Sequence, residues 1–152
     1  MKVTESRKAD RPRGKLEIFR AQVAEYRGTS VAELMKYARL EYHTIQKRTP
    51  RRIPYVRSKY FVKDKIFLNT FWDHVNQKRV SDKIRRLRLF GCAIELIRKS
   101  PLAPETVQSP TNGNELLHRM YGVSTNSTVF CVQIKENKKT HRKDFISVFP
   151  IK

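Results

Sequence analysis

Four stretches near the C-terminus hold the side chains best suited to moving protons or gripping phosphate: His118-Arg119, Lys135-Glu136, the run from Lys138 to Asp144, and Ser147. An imidazole, several cations and a hydroxyl suit metal-free cleavage of RNA, in which a 2′-hydroxyl loses a proton, a 5′-oxygen gains one and cations stabilise the phosphorane. The sequence has no glycine-rich phosphate loop, no His/Cys cluster at zinc spacing, no paired acidic motif for magnesium and no nucleophile elbow, so no metal or cofactor is expected. His118 is the proton-transfer candidate, because an ordinary imidazole titrates near neutral pH. Arg119, Lys135 and Lys143 would stabilise negative charge, and Ser147 would bond a phosphate oxygen. A structural histidine at 118, a solvated strand end at Lys135 and a turn residue at His141 are the competing readings.

These residues need a frame, and Glu115 to Pro150 supplies one. It reads as three strands, ELLHRMYGVS, TVFCVQIKE and DFISVFP, separated by polar turns. Phe130, Val132 and Ile134 alternate with Cys131, Gln133 and Lys135, while Ile146 and Val148 alternate with Phe145, Ser147 and Phe149. One greasy face and one cationic face are expected, with the helical pattern of Val80 to Lys99 covering the greasy one. His118 and Arg119 are sequential, so a regular strand points them to opposite faces, and the pattern leaves open which one meets substrate. Glu136 has the wrong parity relative to Lys135.

Upstream, Met1 to Gly14 reads as a basic disordered tail. Leu16, Phe19, Val23 and Tyr26 recur at helical spacing up to Gly28. Ser30 and Glu33 then form a capping box before the stripe Val31, Leu34, Ala38, Tyr42 and Ile45. A helical hairpin over 15–49 is expected, packed on the main domain or clasping a partner. A DNA-reading helix-turn-helix is disfavoured by Glu33 and Glu41 on the candidate reading face. The basic linker over 50–59 carries Arg51, Arg52, Tyr55 and Arg57, a phosphate track with a stacking ring or a solubilised hinge. Phe67, Leu68, Phe71, Trp72 and Val75 read as core. Arg85 and Arg88 lie on a cationic edge of the long helix, which Pro101 and Pro104 end before an irregular loop over 100–114.

The fold class expected is therefore α+β, an N-terminal helical hairpin and helices followed by a small antiparallel β-meander with a helix packed on one face, the α+β unit spanning 60–152. The formal charge of +19 in 152 residues points to a polyanionic partner. Residues 51–100 are the most basic, with 14 Lys and Arg against 4 Asp and Glu. Cys92 and Cys131 sit in apolar patterns and read as reduced core thiols. With no membrane-spanning run and no signal-peptide pattern, a cytoplasmic location is expected.

The order helix then meander, with LHRMYGV, VQIKE and a terminal KDFISVFP, resembles the barnase, EndoU, colicin and RelE-like nuclease superfold, in particular its phage and mobile-element branch. The resemblance covers roughly Val80 to Lys152. It implies a metal-independent, toxin-like endoribonuclease with His118 or Arg119, Lys135 and Ser147 at the active site. The sequence departs from a barnase-type arrangement in lacking an obvious strand-borne general-base glutamate. Arg51, Arg52, Tyr55, Arg57, Arg85, Arg88, His141, Arg142 and Lys143 would bind RNA, with an antitoxin or the ribosome as further partners. The alternative is a non-catalytic RNA- or DNA-binding protein.

Overall fold

Ser30 starts the first helix among the described residues, as expected. Its hydroxyl accepts from the Glu33 amide at 3.2 Å, and Glu33 Oε1 accepts from the Thr29 amide at 3.0 Å. The helix, α1 (Val31–Lys47), buries Leu34, Ala38, Tyr42 and Ile45 along one stripe. The computed structural model describes residues 17–151, so the tail expected over 1–14 lies outside the described residues.

Among the described residues three further helices, α2 (Thr70–Asn76), α3 (Val80–Arg88) and α4 (Phe90–Lys99), join seven strands in a mixed α+β fold. The strands are β1 (Phe19–Arg20), β2 (Tyr55–Arg57), β3 (Lys65–Phe67), β4 (Glu105–Gln108), β5 (Glu115–Val123), β6 (Val129–Asn137) and β7 (Lys143–Pro150). Their order is β1-β5-β6-β7-β3-β2, and β4 shares with β1 the edge of β5 that β6 leaves free. The β1–β5 and β3–β7 pairs are parallel, and the others antiparallel. The three-strand meander is thus the centre of a larger mixed sheet.

The helices meet the sheet in one apolar cluster. Met120, Phe130, Val132, Ile134, Phe145 and Val148 from the meander pack with Leu87, Phe90, Ile94 and Leu96 from the helices and with the α1 stripe. Phe71 of α2 stacks on Phe145 with centroids 4.9 Å apart. Burying each such ring contributes about 1.5–3 kcal/mol. A Cβ on Gly122 would stand 2.7 Å from Phe130 and 2.9 Å from Leu96, so glycine lets α4 approach β5 this closely. Cys92 and Cys131 are free and buried, and burial pushes both thiols up to about 12.

Four expectations are corrected. Residues 17–28 form no helix: Phe19 and Arg20 pair with Gly122 and Val123, and the next turn is held by the buried Glu95 carboxylate, which accepts from the Gln22 and Val23 amides. Of the described part of the hairpin expected over 15–49, only the second arm is therefore helical. The helix of Val80 to Lys99 breaks at Leu89, because a straight helix would turn Leu89 roughly 200° away from Leu87, and both are buried here. The basic linker contains β2, and the loop over 100–114 contains β4.

Candidate active site

The register decides which side chains meet. His118 pairs with Ile134, Met120 with Val132, and Leu116 with Glu136, so His118 and Glu136 share the helix-covered face with the apolar rows. A β-bulge interrupts the β6–β7 ladder: Gln133 pairs with Ser147 but Ile134 with Phe145, leaving Ile146 as the extra residue. Without that residue Lys143 would keep the parity of Ser147 and face outward. With it, Lys143 pairs with Glu136 and joins His118.

A polar cluster therefore occupies one end of the covered face, beyond the last apolar row. His118 Nε2 lies 2.6 Å from Glu136 Oε1, and its Nδ1 lies 2.7 Å from the Thr106 hydroxyl. Glu136 Oε2 receives His141 Nδ1 at 3.0 Å. Lys143 Nζ stands 3.8 Å from Glu136 Oε2, donates to Asp64 Oδ2 at 2.8 Å and to the His141 carbonyl at 3.3 Å. The β2–β3 turn closes the side, with the Phe61 ring 4.9 Å from the His118 ring and 4.9 Å beneath the Lys143 ammonium. In that turn Val62 and Lys63 both hold positive φ, 52° and 69°, which is strained for a β-branched residue.

Burial divides the roles. The side chains of His118, Glu136 and Lys143 are 7%, 12% and 6% exposed, whereas His141 is 72% exposed. Burial holds the His118 imidazole below its ordinary range, outweighing the pull of the Glu136 hydrogen bond and charge. Neutral His118 thus donates Nε2–H to the carboxylate and accepts from Thr106. Burial alone would raise Glu136, but hydrogen bonds from His141 and His118 and the charge of Lys143 overcome it and keep the carboxyl ionised below its usual range. With both carboxylate oxygens engaged, His141 presents Nδ1–H to Glu136 and turns Nε2 outward. That is an imidazole whose tautomer and aim are fixed by a buried carboxylate, the arrangement general acid–base chemistry needs.

The four residues expected at one catalytic surface are divided between two faces. Arg119 and Ser147 lie on the outer face, where Arg119 Nε donates to Gln133 Oε1 at 3.0 Å and Gln133 reaches the Ser147 hydroxyl at 3.5 Å. Lys135 shares that face, with its ammonium 3.7 Å from Glu115. His118 is on the other face with both ring nitrogens occupied, so it is not free to reach a substrate. Glu136, set aside for its parity with Lys135, has the parity that matters, that of His118. The sequence signal for the facing of Lys143 is Phe145-Ile146, two adjacent apolar residues that break the alternation where the bulge falls.

Among the expected RNA-binding residues, His141, Arg142 and Lys143 lie at this end of the sheet and Tyr55 and Arg57 on edge strand β2, while Arg51 and Arg52 are exposed just before it. Arg85 and Arg88 belong elsewhere: Arg85 is paired with Asp82, and Arg88 donates to the Gly28 carbonyl at 2.8 Å. An open cleft lined by Glu25, Tyr26, Arg27, Gly28, Arg88 and Asn126 contains none of the histidine cluster. Among the described residues no group of three or more His, Cys, Asp or Glu is placed to hold a metal ion, and no helix is long and apolar enough to cross a membrane. No family model, no curated protein and no solved structure matches the chain.

Proposed function

We propose that this protein is a metal-independent endoribonuclease of the toxin-like kind, with His141 as the catalytic residue. The observation that carries this reading is the hydrogen-bonded series Thr106, His118, Glu136, His141, which runs from an exposed hydroxyl through two largely buried side chains to an exposed imidazole beside a buried lysine. His141 Nε2 takes the proton of a 2′-hydroxyl as its oxygen attacks phosphorus in line. The bond from phosphorus to the 5′-oxygen breaks, the leaving oxygen is protonated from water, and the products are a 2′,3′-cyclic phosphate and a 5′-hydroxyl. The Lys143 charge, bonded to the His141 carbonyl, favours the negative phosphorane at that turn. Glu136 and His118 are positioning residues: they act through His141.

The test is incubation of the full chain with end-labelled RNA in excess EDTA, beside His141→Ala and a 2′-deoxy substrate. Cyclic-phosphate products from wild type alone, with the deoxy strand intact, support the reading; RNA left intact by wild type ends it. A second reading, a non-catalytic nucleic-acid-binding protein, draws on the same cluster. Glu136 and Lys143 are each satisfied by protein partners, as they would be in a purely structural polar plug. Shifted but uncut RNA, with affinity falling steeply as salt rises, is its outcome.

A further inference from the structure

The outer side of β2 and β3 is built differently from the rest of the sheet. Pairing sets Tyr55 opposite Phe67, Arg57 opposite Lys65, and Phe67 beside Asp144, which places these residues on one face, while Val56 and Ile66 fill the core on the other. The two rings meet edge to face with centroids 6.0 Å apart. Each has cations over it: Lys65 Nζ at 4.9 Å and the Arg57 guanidinium at 5.4 Å from Tyr55, and Arg142 at 4.3 Å from Phe67. Asp144 is the one carboxylate that β2, β3 and the start of β7 present on this face, and Arg142 already bonds it. Cations alone would serve to keep an edge strand from pairing with another chain. That role does not call for two half-buried rings beneath them.

We propose that this surface is a stacking platform for the single-stranded RNA flanking the scissile phosphate. Tyr55 and Phe67 each take a base, and Arg57, Lys65 and Arg142 hold the phosphates between. The identity of the ligand rests on the reading of His141 above. Continuity supports it: His141 and Arg142 are adjacent, yet His141 turns to Glu136 on the covered face and Arg142 folds across Phe67 on the outer one. A strand whose phosphate sits at His141 passes over Arg142 onto the rings. The cations over the aromatic faces keep them polar and accessible in the free protein, and a base can replace a guanidinium on a ring. Single strands are favoured over duplex because only an unstacked base offers its face to a ring.

The experiment uses the full chain and a fluorescent, fully 2′-O-methylated RNA strand, which cannot be cut by 2′-oxygen attack, beside a duplex of equal length. Anisotropy titrations over a salt series should show the single strand binding more tightly than the duplex. Tyr55→Leu should weaken single-strand binding roughly 5- to 150-fold. Arg57→Gln, at the exposed edge of the sheet, should reduce the slope of log affinity against log salt by about one. A preference for duplex, or wild-type binding in both variants, would overturn the platform. Binding lost in Tyr55→Leu while wild type fails to cut unmodified RNA keeps the platform and removes the nuclease. Wild-type binding in both variants together with normal cutting does the reverse.

Discussion

On the helix-covered face Glu136, His118 and Lys143 are nearly closed off from solvent and bonded to one another or to neighbouring side chains, whereas on the outer face Arg57, Lys65 and Arg142 lie over aromatic rings at the surface. The difference is one of purpose. Charges taken out of water hold a fixed geometry, because every unpaired state is costly, and they can aim one exposed imidazole. Surface cations are soft in position and screened by salt, which suits sliding contact with a polyanion.

Truncating the series at His141 should have the largest effect. His141→Ala is expected to lower RNA cleavage by about 10²–10⁴, with a lower unfolding midpoint as well, since the largely buried Glu136 carboxylate loses one of its donors. Arg119→Ala, Lys135→Ala and Ser147→Ala, on the opposite face, should leave the cleavage rate unchanged. A loss in any of them as large as that of His141→Ala would erase the distinction between the faces.

Next comes the core beneath the cluster. Phe145→Ala should cost about 3–5 kcal/mol in urea unfolding, because Phe145 is fully buried against Phe71 and Phe90. Glu136→Gln should cost about 1–3 kcal/mol, by leaving buried donors poorly matched. It should also alter the pH–rate profile of whatever cleavage persists, which a merely structural carboxylate would not do.

Acid should dismantle the cluster in order. The folded state holds His118 below its ordinary value of 6.5, so below that pH the unfolded chain takes up a proton that the folded chain refuses. Its contribution is complete above 6.5 and is lost as pH falls. Glu136, held below its ordinary 4.5, contributes above that value and is lost at still lower pH. Urea midpoints measured from pH 7.5 down to 4 should therefore decline, and His118→Gln should remove the upper part of the decline. The smallest effect expected is at the strained turn: Val62→Asn, at an exposed tip, should gain up to about 1 kcal/mol by relieving a β-branched residue of positive φ.

How far these features can be read from the chain follows from the forces that make them. The meander and α1 are legible because period-two alternation and the Ser30 cap are local signals, strong over many residues. The short strands β1 to β4 carry two to four residues each and are fixed by partners far along the chain, so no local pattern announces them. Phe19, Val23 and Tyr26 show the opposite failure, a helical spacing that tertiary hydrogen bonds to Glu95 and β5 override. The site was half visible. Its residue types and the β6–β7 turn stand out in the sequence, but a single extra residue at Ile146 reverses the facing of Lys143, and parity counted from Lys135 hid Glu136.

The central claim is that the exposed imidazole of His141 transfers the proton. Chemical rescue tests it most directly: His141→Gly is given RNA in EDTA with increasing free imidazole, and the cyclic phosphate is measured. Little product is expected without imidazole, and a rate that climbs with its concentration. Cleavage by the glycine variant at the wild-type rate, with imidazole making no difference, would contradict it.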